Sequence, residues 1–73
     1  MPRFILNNNQ QANGDYEVHN TTKGCDWMPD SQNQIDLGWH ADCHKAVAFA
    51  KTKYPERYRT NGCAYCCPDC HTS

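Results

Sequence analysis

Four cysteines fall within eight residues near the end of the chain, with the spacing of a metal-binding turn. They form two Cys-x-x-Cys pairs, Cys63 with Cys66 and Cys67 with Cys70, and His71 follows directly. Two residues between thiolates allow both sulfurs to turn toward one ion at about 2.3 Å, as in a zinc knuckle. The adjacent Cys66 and Cys67 side chains point in different directions in an extended or turned backbone. One ion is therefore expected to use ligands from elsewhere in the chain.

The best distant ligands are a histidine and a cysteine in the first half of the chain. His19 is expected at the end of a strand, and Cys25 in the loop that follows it. The predicted zinc ligands are His19, Cys25, Cys63 and Cys66, a tetrahedral set that ties the first half of the chain to its tail. The alternates are Cys43, Cys67, Cys70 and His71, and the ten Cys and His residues leave room for a second ion.

Two other uses of the thiols compete with zinc. A Cys-x-x-Cys pair supports thiol–disulfide exchange by lowering the pKa of one thiol, although such a pair normally begins a helix. A disulfide scaffold without metal is the other alternative. Zinc in a role without catalysis is preferred, because no glutamate is expected near the ligands as a general base.

The chain has too few large apolar side chains to fold without a cross-link. Val, Ile, Leu and Phe contribute eight of 73 residues, below the ~20% under which disorder becomes the default expectation. Trp27 and Trp39 are therefore predicted to lie in the core. A metal or a disulfide must supply the remaining stability.

The first residues indicate a compartment. The segment Met1-Pro2-Arg3-Phe4-Ile5-Leu6 is followed at once by Asn and Gln residues, so it lacks the apolar stretch of a secretory signal. The expected localisation is cytoplasmic, where thiols stay reduced and cysteine clusters bind metal more often than they pair. No segment is apolar enough to predict a membrane partner.

The net charge of −1 does not indicate a partner, but the charges are unevenly distributed. Acidic residues dominate the first 44 positions, and basic residues dominate positions 45–59. A protein partner is expected. Nucleic acid is the alternative, through the basic side chains of Lys45, Lys51, Lys53, Arg57 and Arg59.

The elements that must position these residues follow from periodicity. Segments 4–8 and 16–20 read as strands of a hairpin, with a turn at Asn13-Gly14-Asp15, and residues 34–38 alternate as a third strand. Cys43 begins a helical face of small apolar residues, with Asp42 as N-cap and Pro55 after the helix end. The predicted fold is a single α+β domain spanning residues 1–73. It consists of a small antiparallel two- to three-stranded sheet packed on one helix, with a C-terminal Cys-rich knuckle.

The chain resembles a group of very short, uncharacterised bacterial cysteine-rich proteins. The segments that carry the likeness are Asn13-Gly14-Asp15-x-Glu17-Val18-His19, Cys25 with Pro29, Leu37-Gly38, Cys43-x-x-Ala46-Val47-x-x-Ala50-Lys51 and Asn61-Gly62-Cys63-x-Tyr65-Cys66-Cys67-x-x-Cys70-His71-Thr72-Ser73. The resemblance implies a bacterial cytoplasmic protein and no particular activity. The ligand pattern is also similar to small zinc modules in which a His-x-x-x-Cys hairpin meets a distant Cys-x-x-Cys, except that five residues separate His19 from Cys25.

Overall fold

The computed structural model describes residues 1–12, 14–57 and 59–71. Within these ranges the chain forms four strands, one α-helix and three short 3-10 turns. The strands are β1 (Arg3–Asn7), β2 (Tyr16–Asn20), β3 (Gln34–Trp39) and β4 (Thr60–Gly62); the helix is α1 (Cys43–Lys53); the 3-10 turns are Ser31–Asn33, Pro55–Arg57 and Pro68–Cys70. The α+β class is confirmed. Asn13 of the predicted hairpin turn lies outside the described residues.

The sheet has the order β3-β1-β2-β4 and is mixed rather than antiparallel. Strand β1 pairs antiparallel with β2, as the predicted hairpin requires, and also antiparallel with β3. Strand β4 pairs in parallel with β2, which corrects the predicted strand number and direction. The sequence Thr60-Asn61-Gly62 has no apolar alternation, so no period of two marked it as a strand. A parallel neighbour requires a long crossover connection, and the segment that contains α1 provides it.

Helix α1 begins and ends as its sequence predicts. The Oδ1 atom of Asp42 accepts a hydrogen bond from the backbone N–H of Lys45 at 2.9 Å, which caps the first turn. The helix ends before Pro55. Its buried residues are Ala46 and Ala50, whose small side chains let the helix lie close to the sheet.

The core lies between α1 and one face of the sheet. Its largest side chains come from β1, β2 and β3, namely Phe4, Leu6, Val18 and Leu37. Ile5 and His19 are cross-strand partners next to Leu6 and Val18. Because side chains alternate along a strand, Ile5 and His19 lie on the opposite face of the sheet. Both are fully buried, so each face of the sheet has a covered region.

The prediction that both tryptophans lie in the core is wrong. Trp27 is 62% exposed and Trp39 is 60% exposed. Trp39 is the last residue of an edge strand, and Trp27 lies in a loop, where its ring contacts Tyr65 with centroids 5.8 Å apart. The buried core between the helix and the sheet consists of Phe4, three aliphatic side chains, the two alanines of α1 and three cysteines. In the described part of the chain, no helix is long and apolar enough to cross a membrane.

Candidate metal centre

The structure brings together the four predicted ligands His19, Cys25, Cys63 and Cys66, which we call the Cys3His cluster. One potential ligand atom from each residue lies within 4.8 Å of the other three. His19, Cys63 and Cys66 are 0%, 1% and 3% exposed, and Cys25 is half-buried. The cluster therefore concentrates four metal-binding side chains in a site with little access to water.

Three separations within the cluster match the edges of a tetrahedral zinc site. Bond lengths of about 2.3 Å to sulfur and 2.0–2.1 Å to nitrogen place tetrahedral neighbours about 3.8 Å apart for two sulfurs and about 3.6 Å apart for sulfur and nitrogen. The Sγ atoms of Cys25 and Cys63 are 3.8 Å apart. His19 Nδ1 lies 3.6 Å from Cys25 Sγ and 3.5 Å from Cys66 Sγ. The cluster can therefore hold a metal ion.

The parallel pairing of β2 and β4 places Cys63 beside His19. Val18 and Gly62 are partners in the register. The next pair along the strands would be His19 and Cys63, and the Cys63 N–H donates to the Val18 carbonyl oxygen at 2.9 Å. The unpredicted fourth strand is thus the element that carries the Cys-x-x-Cys turn to the end of β2.

A tight turn after β2 returns Cys25 to the cluster. The Gly24 N–H donates to the Asn20 carbonyl oxygen at 2.8 Å, and the Lys23 N–H donates to Asn20 Oδ1 at 3.0 Å. Gly24 has φ +74°, in the left-handed region that glycine adopts without strain. This turn accommodates the five residues between His19 and Cys25, where the resembled zinc modules have three.

The Cys-x-x-Cys turn has backbone donors directed at its sulfurs. The Tyr65 N–H donates to Cys63 Sγ at 3.4 Å, and the Asn20 N–H donates to Cys66 Sγ at 3.3 Å. The Cys67 N–H closes the turn on the Cys63 carbonyl oxygen at 2.8 Å. Such donors stabilise thiolates, the form in which cysteine binds a metal.

Burial favours the neutral forms of the cluster residues in the absence of a cation. It raises the pKa of the Cys25 thiol to about 12 and lowers the pKa of His19 to about 4. The pKa of Cys63 is also raised, by burial. The pKa of Cys66 is raised by its hydrogen bond with Cys67 and by burial. Neutral imidazole is already the metal-binding form of His19, and a divalent cation would supply the charge that the three thiolates need.

The second ring nitrogen of His19 faces a carboxylate. Nε2 lies 3.5 Å from Glu17 Oε1, yet it makes no hydrogen bond with any described residue. Burial raises the pKa of the Glu17 carboxyl group, and a hydrogen bond from the Gln11 side chain lowers it by a smaller amount. The prediction that no glutamate stands near the ligands is therefore wrong. A period of two places residues 17 and 19 on one face of β2 and was the signal for this neighbour.

The alternate ligands have other partners. Cys43 and Cys70 form a disulfide, whereas Cys25, Cys63, Cys66 and Cys67 are free thiols. The sequence was interpreted as either a metal site or a disulfide scaffold, and the structure contains one disulfide together with a cluster of free thiols. The Cys67 thiol is buried and outside the Cys3His cluster, and its hydrogen bond with Cys66 lowers its pKa. His71 Nδ1 lies 3.1 Å from the Gly62 carbonyl oxygen.

A second potential metal-binding group lies at the start of α1 and contains Cys43, His44 and Cys70. Both sulfur atoms of this group are already joined in the disulfide. The pairing was not predicted because it joins a helix to a distant 3-10 turn, and only the packing of those two elements determines which cysteines meet.

The basic residues of the alternative nucleic-acid surface are partly engaged within the protein. Lys45, Lys51 and Lys53 are exposed on α1. Arg59 forms an ion pair with Asp15 at 3.3 Å. The side chain of Arg57 lies outside the described residues.

Comparisons with protein-family models, curated proteins and solved structures gave no match to this chain. The resemblance to short bacterial cysteine-rich proteins therefore stays a prediction. The assignment of a function rests on the geometry of the Cys3His cluster.

Proposed function

We propose that this protein is a small zinc-binding module in which His19, Cys25, Cys63 and Cys66 hold one structural zinc ion. The observation that carries the proposal is the agreement between three measured separations in the cluster and the edges of a zinc tetrahedron. Three sulfurs and one imidazole nitrogen form a Cys3His set, which is typical of structural zinc and unlike the oxygen ligands of calcium or magnesium.

The site favours a structural role over catalysis. A catalytic zinc site keeps one position open for water or substrate, whereas the four side chains here would fill every tetrahedral position. The cluster joins the end of β2, the loop that contains Cys25 and the turn after β4. One ion would therefore connect segments from residue 19 to residue 66, and its binding free energy would appear as folding free energy.

Burial also argues against thiol–disulfide exchange by the Cys63 and Cys66 pair. Exchange requires a thiolate to reach the sulfur of a substrate disulfide. Cys63 and Cys66 are almost inaccessible to solvent. Their turn follows a strand rather than beginning a helix, so no helix N-terminus lowers a thiol pKa there.

The proposed module would present a surface to a protein partner. The ring contact between Trp27 and Tyr65 supports this role, since both side chains are 62% exposed. Both also lie on segments that supply metal ligands. Zinc would thus hold the two rings in place, and Trp27 fluorescence in a Trp39→Phe variant would report whether a candidate partner contacts them.

The zinc proposal is tested by native mass spectrometry of protein expressed with zinc in the medium. The expected result is one zinc per chain, lost in Cys66→Ala and retained in Cys67→Ala. These substitutions remove adjacent buried thiols, and only the first belongs to the Cys3His cluster. Less than about half an equivalent of zinc in the unsubstituted protein, or equal zinc content in both variants, would contradict the proposal.

A further inference from the structure

His19 has a buried ring nitrogen that the proposed metal would not use. Its Nδ1 faces the sulfurs of Cys25 and Cys66, whereas Nε2 points away from them. Nε2 is fully buried and has no hydrogen-bond partner within the described residues. A histidine that binds a metal through Nδ1 carries its proton on Nε2. Burying that N–H would cost free energy of folding unless an acceptor receives its hydrogen bond.

The nearest acceptor is the Glu17 carboxylate. Glu17 precedes His19 by two residues on β2, so the pleat places both side chains on the same face of the sheet. Oε1 of Glu17 lies 3.5 Å from Nε2 of His19, and the Glu17 side chain is only 12% exposed. A normal N–H···O bond spans about 2.7–3.2 Å, so a movement of a few tenths of an ångström would form it.

We propose that Glu17 is a positioning residue: its carboxylate accepts a hydrogen bond from the Nε2–H of His19 and so orients Nδ1 toward the metal ion. This inference rests on the proposed zinc site. The hydrogen bond would fix the tautomer and ring orientation of His19 and raise the basicity of Nδ1. It would also give the buried carboxylate a donor from the ring that it faces.

The register of β2 makes this role particular to Glu17. The side chain of Val18 lies on the other face of the sheet, within the core. The side chain of Gln11 hydrogen-bonds to the Glu17 carboxylate, which helps to hold it in place. Metal, imidazole, carboxylate and amide would then form one chain of contacts from the cluster to the surface.

The test compares zinc affinity in Glu17→Ala, Glu17→Gln and Asp36→Asn, measured by competition with a chromophoric chelator. Asp36→Asn is the matched control, because it also removes one negative charge from the sheet but at an exposed position. Glu17→Ala is expected to weaken zinc binding by about 10- to 100-fold. Glu17→Gln keeps an acceptor oxygen and is expected to weaken zinc binding less than Glu17→Ala does. The Asp36→Asn control should leave zinc affinity within about twofold of the unsubstituted protein.

A spectroscopic measurement separates positioning from general destabilisation. In the zinc-loaded protein the Nε2–H of His19 should give a slowly exchanging proton resonance in NMR, because the hydrogen bond protects it. The resonance should exchange rapidly in Glu17→Ala. In Glu17→Gln it should still exchange slowly but move upfield, because a neutral amide oxygen accepts a weaker hydrogen bond than a carboxylate. The upfield movement covers the case in which the alanine variant does not fold. Unchanged zinc affinity in both variants would overturn the inference while the zinc site stands, as would unchanged exchange in Glu17→Ala or an unmoved resonance in Glu17→Gln. Failure of the unsubstituted protein to bind zinc would instead overturn the proposed function and the inference with it.

Discussion

The cysteines gather in two places that differ in chemistry: a cluster of free thiols with His19 that could hold a metal, and a disulfide. The Cys3His cluster is buried and gathers ligands from three segments, at the end of the sheet. The Cys43–Cys70 disulfide joins the first residue of α1 to the last 3-10 turn. A metal stabilises the native state that it binds, whereas in the chain-entropy account a disulfide restricts the unfolded chain.

This difference shows how a chain with so few large apolar side chains can divide its stabilisation. With zinc bound, the cluster would hold the sheet edge to the Cys-x-x-Cys turn, and the disulfide holds the helix to the last 3-10 turn. A chelator would remove only the first link, and a reductant in the presence of excess zinc would break the second. Under the proposed function, the two links are therefore expected to be separable.

Removal of the metal is expected to have the largest effect. Structural zinc carries about 10–16 kcal/mol of apparent binding free energy at neutral pH, most of which would be lost as folding free energy. A strong chelator should abolish the cooperative thermal transition seen by circular dichroism while the disulfide remains intact. A sharp transition after complete chelation would show that the cluster contributes little to the fold.

Removal of the disulfide is expected to have the next largest effect. The linked cysteines are 27 residues apart in sequence, for which the chain-entropy relation gives about 3–4 kcal/mol. The Cys43→Ala/Cys70→Ala double variant should lose that amount in urea unfolding and keep its zinc content. Loss of zinc would mean that the disulfide is needed to assemble the Cys3His cluster, and the two links would not be separate.

A substitution at Gly62 tests the place where the two regions meet. A Cβ atom there would lie 2.6 Å from the Cys70 Cβ and 2.9 Å from the Cys67 carbonyl oxygen. Gly62→Ala should therefore cost about 1–3 kcal/mol through overpacking and should weaken zinc binding as well.

Gly38→Ala is the control for Gly62→Ala, since a Cβ at Gly38 meets nothing within 4 Å and the cost there is left-handed backbone strain alone. Gly38 lies on β3, at the edge of the sheet opposite β4, so this variant should keep its zinc affinity. Equal stability of the Gly62→Ala variant and the unsubstituted protein in urea unfolding would argue against close packing between β4 and the last 3-10 turn.

The smallest effect is expected from the exposed side chain of the Cys-x-x-Cys turn. Tyr65→Ala removes a ring that contacts Trp27 but leaves the Tyr65 N–H that donates to Cys63 Sγ. A loss of about 0.5–1.5 kcal/mol is expected in urea unfolding, with little change in zinc affinity. A large loss of zinc affinity would mean that the ring pair, and not only the backbone, holds the turn closed.

Local sequence features predicted most of the elements but not how they pair. Asp42 and Pro55 mark the ends of α1, and alternation marks the first three strands, because both signals arise from neighbouring residues. The short strand at Thr60–Gly62 has no such signal. The exposed positions of Trp27 and Trp39 also followed from packing, since an aromatic side chain is buried only where the assembled elements leave a space for it.

The cluster and the disulfide show the same division between what local sequence predicts and what tertiary packing decides. The residue types and the two-residue spacing within Cys63-x-x-Cys66 were sufficient to predict a soft-metal turn, because a tight turn alone directs both sulfurs inward. His19 and Cys25 were also predicted as ligands, from the end of the second strand and the loop after it. The tertiary structure decided how they meet that turn, through the parallel register of β2 and β4. It also decided that Cys43 pairs with Cys70. Contacts between residues distant in sequence depend on the packing of whole elements, which no local spacing encodes.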